Sequence, residues 1–233
     1  MTIHFDSVVF DMDGTLINLG EHVEWSKAQA KIAKAYTELK CNPQNLEACS
    51  SKGLFEMMDD MWQINIKQFG SRKANKIQTE VNNILCRYEI KGVPHCSMMP
   101  GCMSALSGLK EQRIPMGVCT SNIQATAESA LKKLDLNHYF KSVMGRSIAY
   151  RMKPSPEQLE ACYKQLGAEP NNSVYVGDSH KDVLTGKALG SYTVAIPIYF
   201  TRLEKVKEAG VDIIIDSLSK LPQALVDIKR ISH

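Results

Sequence analysis

The sequence predicts an α/β chain built on a doubly wound, mostly parallel sheet, with an all-helical unit inserted into it. Three observations carry that expectation. Short apolar runs alternate with segments of helical spacing over most of the chain, the grammar of strand, crossover helix and parallel strand. Three of the runs end in hydroxyls or carboxylates, which puts polar groups at the carboxyl ends of strands. The alternation lapses between residues 17 and 96, where helical patterns follow one another with no convincing strand.

The first strand is Ser7-Val8-Val9-Phe10, an apolar run emptying into the turn Asp11-Met12-Asp13-Gly14-Thr15. Within the inserted stretch, helical patterns cover residues 21–39, 54–69 and 74–88, separated by Cys41-Asn42-Pro43 and Gly70-Ser71. Leu54, Met57, Met58, Met61 and Trp62 recur every three or four residues, as one buried helix face requires, and are expected to be core rather than a ligand box. After the insertion come strand 115–119 before Thr120-Ser121-Asn122, helix 125–134, strand 142–144, helix 156–166 and strand 173–176 before Gly177-Asp178. Helix 182–189, strand 192–196, helix 203–209 and strand 213–215 complete the pattern. In an open sheet of this kind ligands bind in the crevice beyond the carboxyl ends of the strands, where these polar clusters fall. The expected units are residues 1–16 with 97–233 as the core and 17–96 as the helical insertion, placed to act as a lid.

Composition narrows the partners. The chain has 233 residues, of which 44% are hydrophobic and 23% charged, ordinary globular values that exclude extended disorder. A net charge of +3 is too weak a field to indicate a nucleic-acid or membrane-surface binder. No apolar run approaches the ~20 residues needed to span a bilayer, and the first residues lack the basic flank and apolar stretch of a secretory signal, so a cytoplasmic setting is expected. The seven cysteines form no C-x-x-C pair, which argues against both a disulfide framework and a zinc site. Most of them, Cys119 included, are expected to be small buried residues.

Each chemical element also has a plain structural reading. Asp11 and Asp13, two apart at a strand end, suit divalent-metal binding and nucleophilic or acid–base work, yet Asp-x-Asp-Gly is also a common loop composition. Asp178 and Asp182 share one face of a helix start, where carboxylates favour the helix dipole in any case. Thr120-Ser121-Asn122 offers hydroxyls and N–H groups to an anion, though a simple N-cap looks the same. Lys153 ahead of Pro154-Ser155-Pro156-Glu157 reads equally as a surface lysine before a helix.

Taken together, four segments match, in order and spacing, the signature of the haloacid dehalogenase-like superfamily of phosphohydrolases. They are Val8-Val9-Phe10-Asp11-Met12-Asp13-Gly14-Thr15-Leu16, Gly117-Val118-Cys119-Thr120-Ser121-Asn122, Lys153-Pro154-Ser155-Pro156-Glu157 and Val176-Gly177-Asp178-Ser179-His180-Lys181-Asp182. The chain resembles that superfamily over its whole core, including the stretch from Val183 to Gly190. The helical insertion lies where the branch holding phosphoglycolate phosphatases and β-phosphoglucomutases carries its cap. The resemblance implies a Rossmann-like core with that cap, and Asp11 as a nucleophile that forms an aspartyl-phosphate. It implies that Asp13 protonates the leaving oxygen and then activates water. Thr120 and Ser121 would hold phosphoryl oxygens, and Lys153 would neutralise charge. Mg²⁺ would be bound by the Asp11 carboxylate, the Asp13 carbonyl and Asp178, with Asp182 supporting the metal site or Lys153, and with Gly14 and Asn122 as further supporting residues.

Because Asp13 is retained, the chain resembles the phosphatases and phosphomutases rather than the dehalogenases or phosphonatases, which need no proton on an alcohol. Its acid role implies a pKa raised relative to Asp11. The expected partner is a small phosphorylated metabolite, with phosphoglycolate favoured by cap type and a sugar phosphomutase as the alternative. A phospho-accepting signalling domain is a remote third reading, because such domains are about half this length. The protein is expected to act as a monomer or homodimer. Glu21, His22 and Trp25 are expected to be ordinary first-helix residues, with the crevice as the alternative. Arg146 and Arg151 are expected at the surface, with a second anionic group as the alternative.

Overall fold

A computed structural model describes residues 4–197 and 202–231 of the chain. The first strand, β1, is Ser7–Phe10, followed by a 3₁₀ turn at Leu19–His22. Four helices come next: α1 (Trp25–Glu38), α2 (Pro43–Ser50), α3 (Leu54–Phe69) and α4 (Ser71–Gly92). Then follow α5 (Cys102–Glu111), β2 (Met116–Ile123), α6 (Gln124–Lys133), β3 (Ser142–Arg146), α7 (Glu157–Leu166) and β4 (Ser173–Gly177). The chain continues through α8 (His180–Ala188), β5 (Tyr192–Ala195), α9 (Leu203–Glu208), β6 (Ile213–Ile214) and α10 (Leu221–Ile231).

The six strands form one sheet in the order β3-β2-β1-β4-β5-β6, and every pair is parallel. β1 lies between β2 and β4, so the chain leaves it first to one side and later to the other. That is the topological switch point, and a crevice opens at its carboxyl end. The strand period of two divides the side chains between the faces. Val8, Phe10, Val118, Val174 and Val176 enter the larger core with α5, α6 and α10 residues, whereas Val9, Cys119 and Tyr175 join Leu159, Cys162 and Tyr163 of α7.

The helices α1 to α4 close a separate core around Ile32, Tyr36, Met57, Met58, Met61, Val81 and Leu85, to which the sheet region contributes Met152. Leu54, Met57, Met58, Met61 and Trp62 are all buried, as one packed helix face requires. Six of the seven cysteines are buried and all are free thiols. No described helix is long and apolar enough to cross a membrane.

Several elements depart from the sequence expectation for identifiable reasons. Cys41-Asn42-Pro43, read as a separator, starts α2: the Asn42 side chain accepts from the N–H groups of Gln44 (2.9 Å) and Asn45 (3.2 Å), and Pro43 occupies the first turn. The helical pattern at 21–39 is a 3₁₀ turn and then α1, so Glu21 and His22 precede the helix. α5 and α10 were not anticipated. Thr120, Ser121 and Asn122 lie within β2 rather than beyond it, where the register with β3 shifts between Cys119 and Ile123.

Arg146, expected at the surface, is fully buried. Its guanidinium bonds Glu89 on α4 at 2.9 Å, Asn82 at 2.9 Å and the Ser121 carbonyl, while the other Glu89 oxygen accepts from the Ile123 N–H at 3.1 Å. This buried pair joins α4 to β2 and β3. Arg146→Ala is expected to destabilise the fold by about 3–5 kcal/mol in denaturant titration, because it leaves the Glu89 carboxylate buried without its partner. The double variant Arg146→Met with Glu89→Met should recover most of that loss; a single variant as stable as the parent would remove the role given to the pair.

Candidate active site

The site is assembled at the carboxyl edge of β1, β2 and β4. Asp11 follows β1 directly, and its N–H bonds the Val176 carbonyl of β4 at 2.8 Å. Gly14 turns the chain back with φ +84°, a left-handed conformation that a side chain disfavours. Asp178 follows β4. Ser179 and Asp182 open α8 as a reciprocal capping box, with the Asp182 Oδ2 accepting from the Ser179 N–H (3.1 Å) and Oγ (2.6 Å).

Lys153 is the hub. Its buried ammonium lies 2.5 Å from Asp11 Oδ1, 2.6 Å from Asp182 Oδ1, 3.0 Å from the Tyr175 hydroxyl and 3.3 Å from the Cys119 carbonyl. Burial works against its charge, but Asp11 and Asp182 outweigh that and raise its pKa. Asp182, expected to support either a metal or Lys153, bonds Lys153. The Thr120 hydroxyl and Asn122 side chain bond each other at 3.1 Å, and the Thr120 carbonyl accepts from Gln158 at 2.9 Å. Ser121 lies beside them, half-buried on the cleft wall.

Asp13 is held differently. Its Oδ1 accepts from the Gly20 N–H at 2.7 Å, and the Gly20 carbonyl in turn accepts from the Trp25 indole N–H at 2.8 Å. A Cβ at residue 20 would stand 2.4 Å from Asp13 Oδ2, so a side chain there displaces the carboxylate. Burial pushes Asp13 up to about 6, against the pull of the Gly20 bond. Burial also pushes Asp11 up, to about 7, against the opposing charge of Lys153. Burial thus raises both carboxyls, and the expected elevation of Asp13 above Asp11 does not set the two apart. Asp11 is the more deeply enclosed and also feels the Asp182 and Asp13 charges.

Oxygen ligand atoms of Asp11, Asp178 and Asp182 all lie within 4.8 Å of one another. Asp182 spends both of its oxygens on Lys153 and the helix cap, and Asp11 spends one on Lys153. Asp178 carries the Arg202 guanidinium, a positive group drawn to the same acidic spot. An all-oxygen set of this kind fits a hard divalent cation.

These residues line one cleft of about 800 Å³, together with Gly14, Asn18, Gly20, Glu21, Trp25 and Phe55. Glu21 and Trp25 thus face the crevice, contrary to the first-helix expectation, whereas His22 turns to His95, 5.9 Å between ring centres. Arg151 is partly exposed and paired with Asp59 at 2.7 Å. Gln158, Tyr175, Gly20 and Arg202 carry no sequence signal that singles them out; their positions follow from chain crossings.

A parallel sheet whose switch point gathers two aspartates, a buried lysine and a hydroxyl strand end beneath helices defines a capped α/β hydrolase. The chain belongs to the haloacid dehalogenase-like hydrolase family, whose model matches residues 8–196. It is 27% identical to a phosphoglycolate phosphatase of Rhodospirillum rubrum, over 92% of this chain and 88% of that protein. It is 23% identical to the pyrophosphatase PpaX of Bacillus cereus, over 97% of this chain and 98% of that one. Among solved structures, CbbY from Rhodobacter sphaeroides, in complex with phosphate, superposes with a TM-score of 0.68 at 17% identity, over 96% of this chain and 99% of that one.

Gly20→Ala is expected to lower hydrolytic turnover about 10- to 100-fold, because the added methyl displaces the Asp13 carboxylate within the cleft, with little change in melting temperature. Full turnover in a folded Gly20→Ala protein would show that Asp13 does not need the contact.

Proposed function

We propose that the chain is a Mg²⁺-dependent phosphatase that hydrolyses a small phosphomonoester through an aspartyl-phosphate on Asp11. The observation that carries this reading is the division of labour between the two aspartates. Asp11 lies against the buried Lys153 ammonium, whose charge favours the ionised carboxylate that attacks phosphorus and opposes the upward push of burial. Asp13 has no cation in hydrogen-bond contact among the described residues and is fixed by a single backbone N–H, with its own pKa raised by burial. Asp11 forms the new P–O bond as the ester P–O bond breaks, and Asp13 gives its proton to the departing alcohol. Water then attacks the acyl phosphate with Asp13 taking its proton, which releases inorganic phosphate and restores Asp11.

In this reading Thr120 and Ser121 hold phosphoryl oxygens, and Lys153 neutralises charge on both the nucleophile and the phosphoryl group. Asn122 fixes Thr120, Asp182 fixes Lys153, and Gly14 permits the left-handed turn that follows Asp13. The Asp11 carboxylate, the Asp13 carbonyl and Asp178 would hold Mg²⁺, which supplies charge neutralisation on the transferring group. The relative named phosphoglycolate phosphatase supports the ester class, while PpaX is named for the cleavage of an anhydride. The seven free cysteines support a cytoplasmic setting.

The deciding experiment is phosphate release from a panel of phosphoglycolate, hexose phosphates, nucleotides and p-nitrophenyl phosphate, with Mg²⁺ or with chelator. Multiple turnover that requires the metal and is abolished in Asp11→Asn is expected; release that survives chelation and that variant would overturn the mechanism. A sugar phosphate isomerised without net release would identify a phosphomutase instead.

Asp13→Ala is expected to lower kcat for alkyl phosphates about 10²–10⁴-fold. Since Asp13 acts first as an acid, kcat/KM should fall as pH rises above about 6, the value that burial gives it. A profile flat from about pH 5 to 9 would remove that role.

A further inference from the structure

The cleft has two walls of unlike chemistry. The core side carries the aspartates, Lys153 and the N-terminus of α8. The wall contributed by the chain between 17 and 96 consists of Asn18, Gly20, Glu21, Trp25 and Phe55, with no cation among these described residues. A substrate with a second anionic group, a carboxylate or another phosphate, needs a cation near its far end. The two arginines positioned in sequence to supply one are committed elsewhere: Arg146 to Glu89 and Arg151 to Asp59. On the core side Lys181 is paired with Glu56 at 2.8 Å, and Arg202 lies against Asp178, at the acidic end of the cleft rather than on the cap wall. Lys205 also borders the cleft, as an exposed surface lysine.

The cap wall instead offers ring surface. The Trp25 N–H is spent on the Gly20 carbonyl, so this side chain brings only its apolar faces to the cleft. Phe55 meets it edge to face, with ring centres 5.7 Å apart and planes at 66°. The Arg146 guanidinium lies 5.6 Å from the Phe55 ring centre, in cation–π range, and helps to fix it. The same wall carries the Glu21 carboxylate, which accepts from Asn18 at 3.0 Å and repels a second negative charge. Two rings and a carboxylate on one wall favour a flat, unsaturated group that carries no anion of its own.

We propose that the preferred substrates are phosphomonoesters whose leaving group presents a flat ring and bears no second negative charge, the ring resting against Trp25 and Phe55. This rests on the phosphatase reading above and replaces phosphoglycolate as the favoured substrate class. The test compares esters of primary alcohols that differ in the ring: nucleoside 5′-monophosphates against ribose 5-phosphate, and benzyl phosphate against propyl phosphate, with phosphoglycolate and pyrophosphate alongside.

In the parent protein kcat/KM is expected to be about tenfold higher for the ring-bearing member of at least one pair. A gain in both pairs identifies ring stacking alone as the source, and a gain confined to nucleotides adds hydrogen bonding by the heterocycle. In Phe55→Leu, which keeps the bulk and removes the ring, that ratio should fall toward one, and in Phe55→Tyr it should return. A general packing defect would lower both members of a pair and leave the ratio intact. The proposal is overturned by ratios near one in the parent, by a ratio that survives Phe55→Leu, or by a preference for phosphoglycolate or pyrophosphate. Absence of metal-dependent release from every ester would instead sink the phosphatase reading itself.

Discussion

A buried ammonium is tolerable only where carboxylates and hydrogen-bond acceptors surround it, and Lys153 meets that condition by drawing three strands and a helix together. Asp11 comes from the end of β1, Tyr175 from β4, the Cys119 carbonyl from β2 and Asp182 from the first turn of α8. None of these partners is near Lys153 in sequence, so the charge is satisfied only in the folded chain. The parallel register of β1 with β2 and β4 fixes the spacing, and the capping box fixes α8. A site held this way has its electrostatics arranged before substrate arrives, which is the main requirement for transferring a phosphoryl group.

The second aspartate is governed from the opposite direction. Asp13 answers to Gly20 and, through it, to Trp25 at the first residue of α1. The same tryptophan forms the aromatic corner with Phe55. One residue therefore touches both the support of Asp13 and the aromatic surface of the cleft. The buried Arg146–Glu89 pair fixes α4 against β2 and β3, so the helical wall and the carboxyl end of β2 share a common anchor.

Much of this was legible in the sequence because it is encoded locally. The apolar run of β1 and the Asp11-Met12-Asp13-Gly14 turn place the carboxylates without reference to the rest of the chain. The three-to-four spacing from Leu54 to Trp62 gives the buried face of α3. Even α2 was signalled, since Asn42 before Pro43 is a helix start; the error was to treat a proline as a break where it opens a helix. α10 follows the same rule, with Pro222 in its first turn, and α5 starts directly after Pro100-Gly101.

The sequence by itself determined the α/β class, the helical insertion and the set of residues that meet at the strand ends, because strand and helix periodicity and turn chemistry act over a few residues. Only the tertiary structure decided which charges are spent and which remain for a ligand. Arg146, at the end of an apolar strand, reads as solvent-facing until α4 brings Glu89 across 57 residues to meet it. Glu21 and Trp25 read as ordinary helix residues until the 3₁₀ turn and the start of α1 place them on the cleft wall. Burial and pairing are properties of contacts between distant segments, so pKa order and cleft character are fixed by the fold.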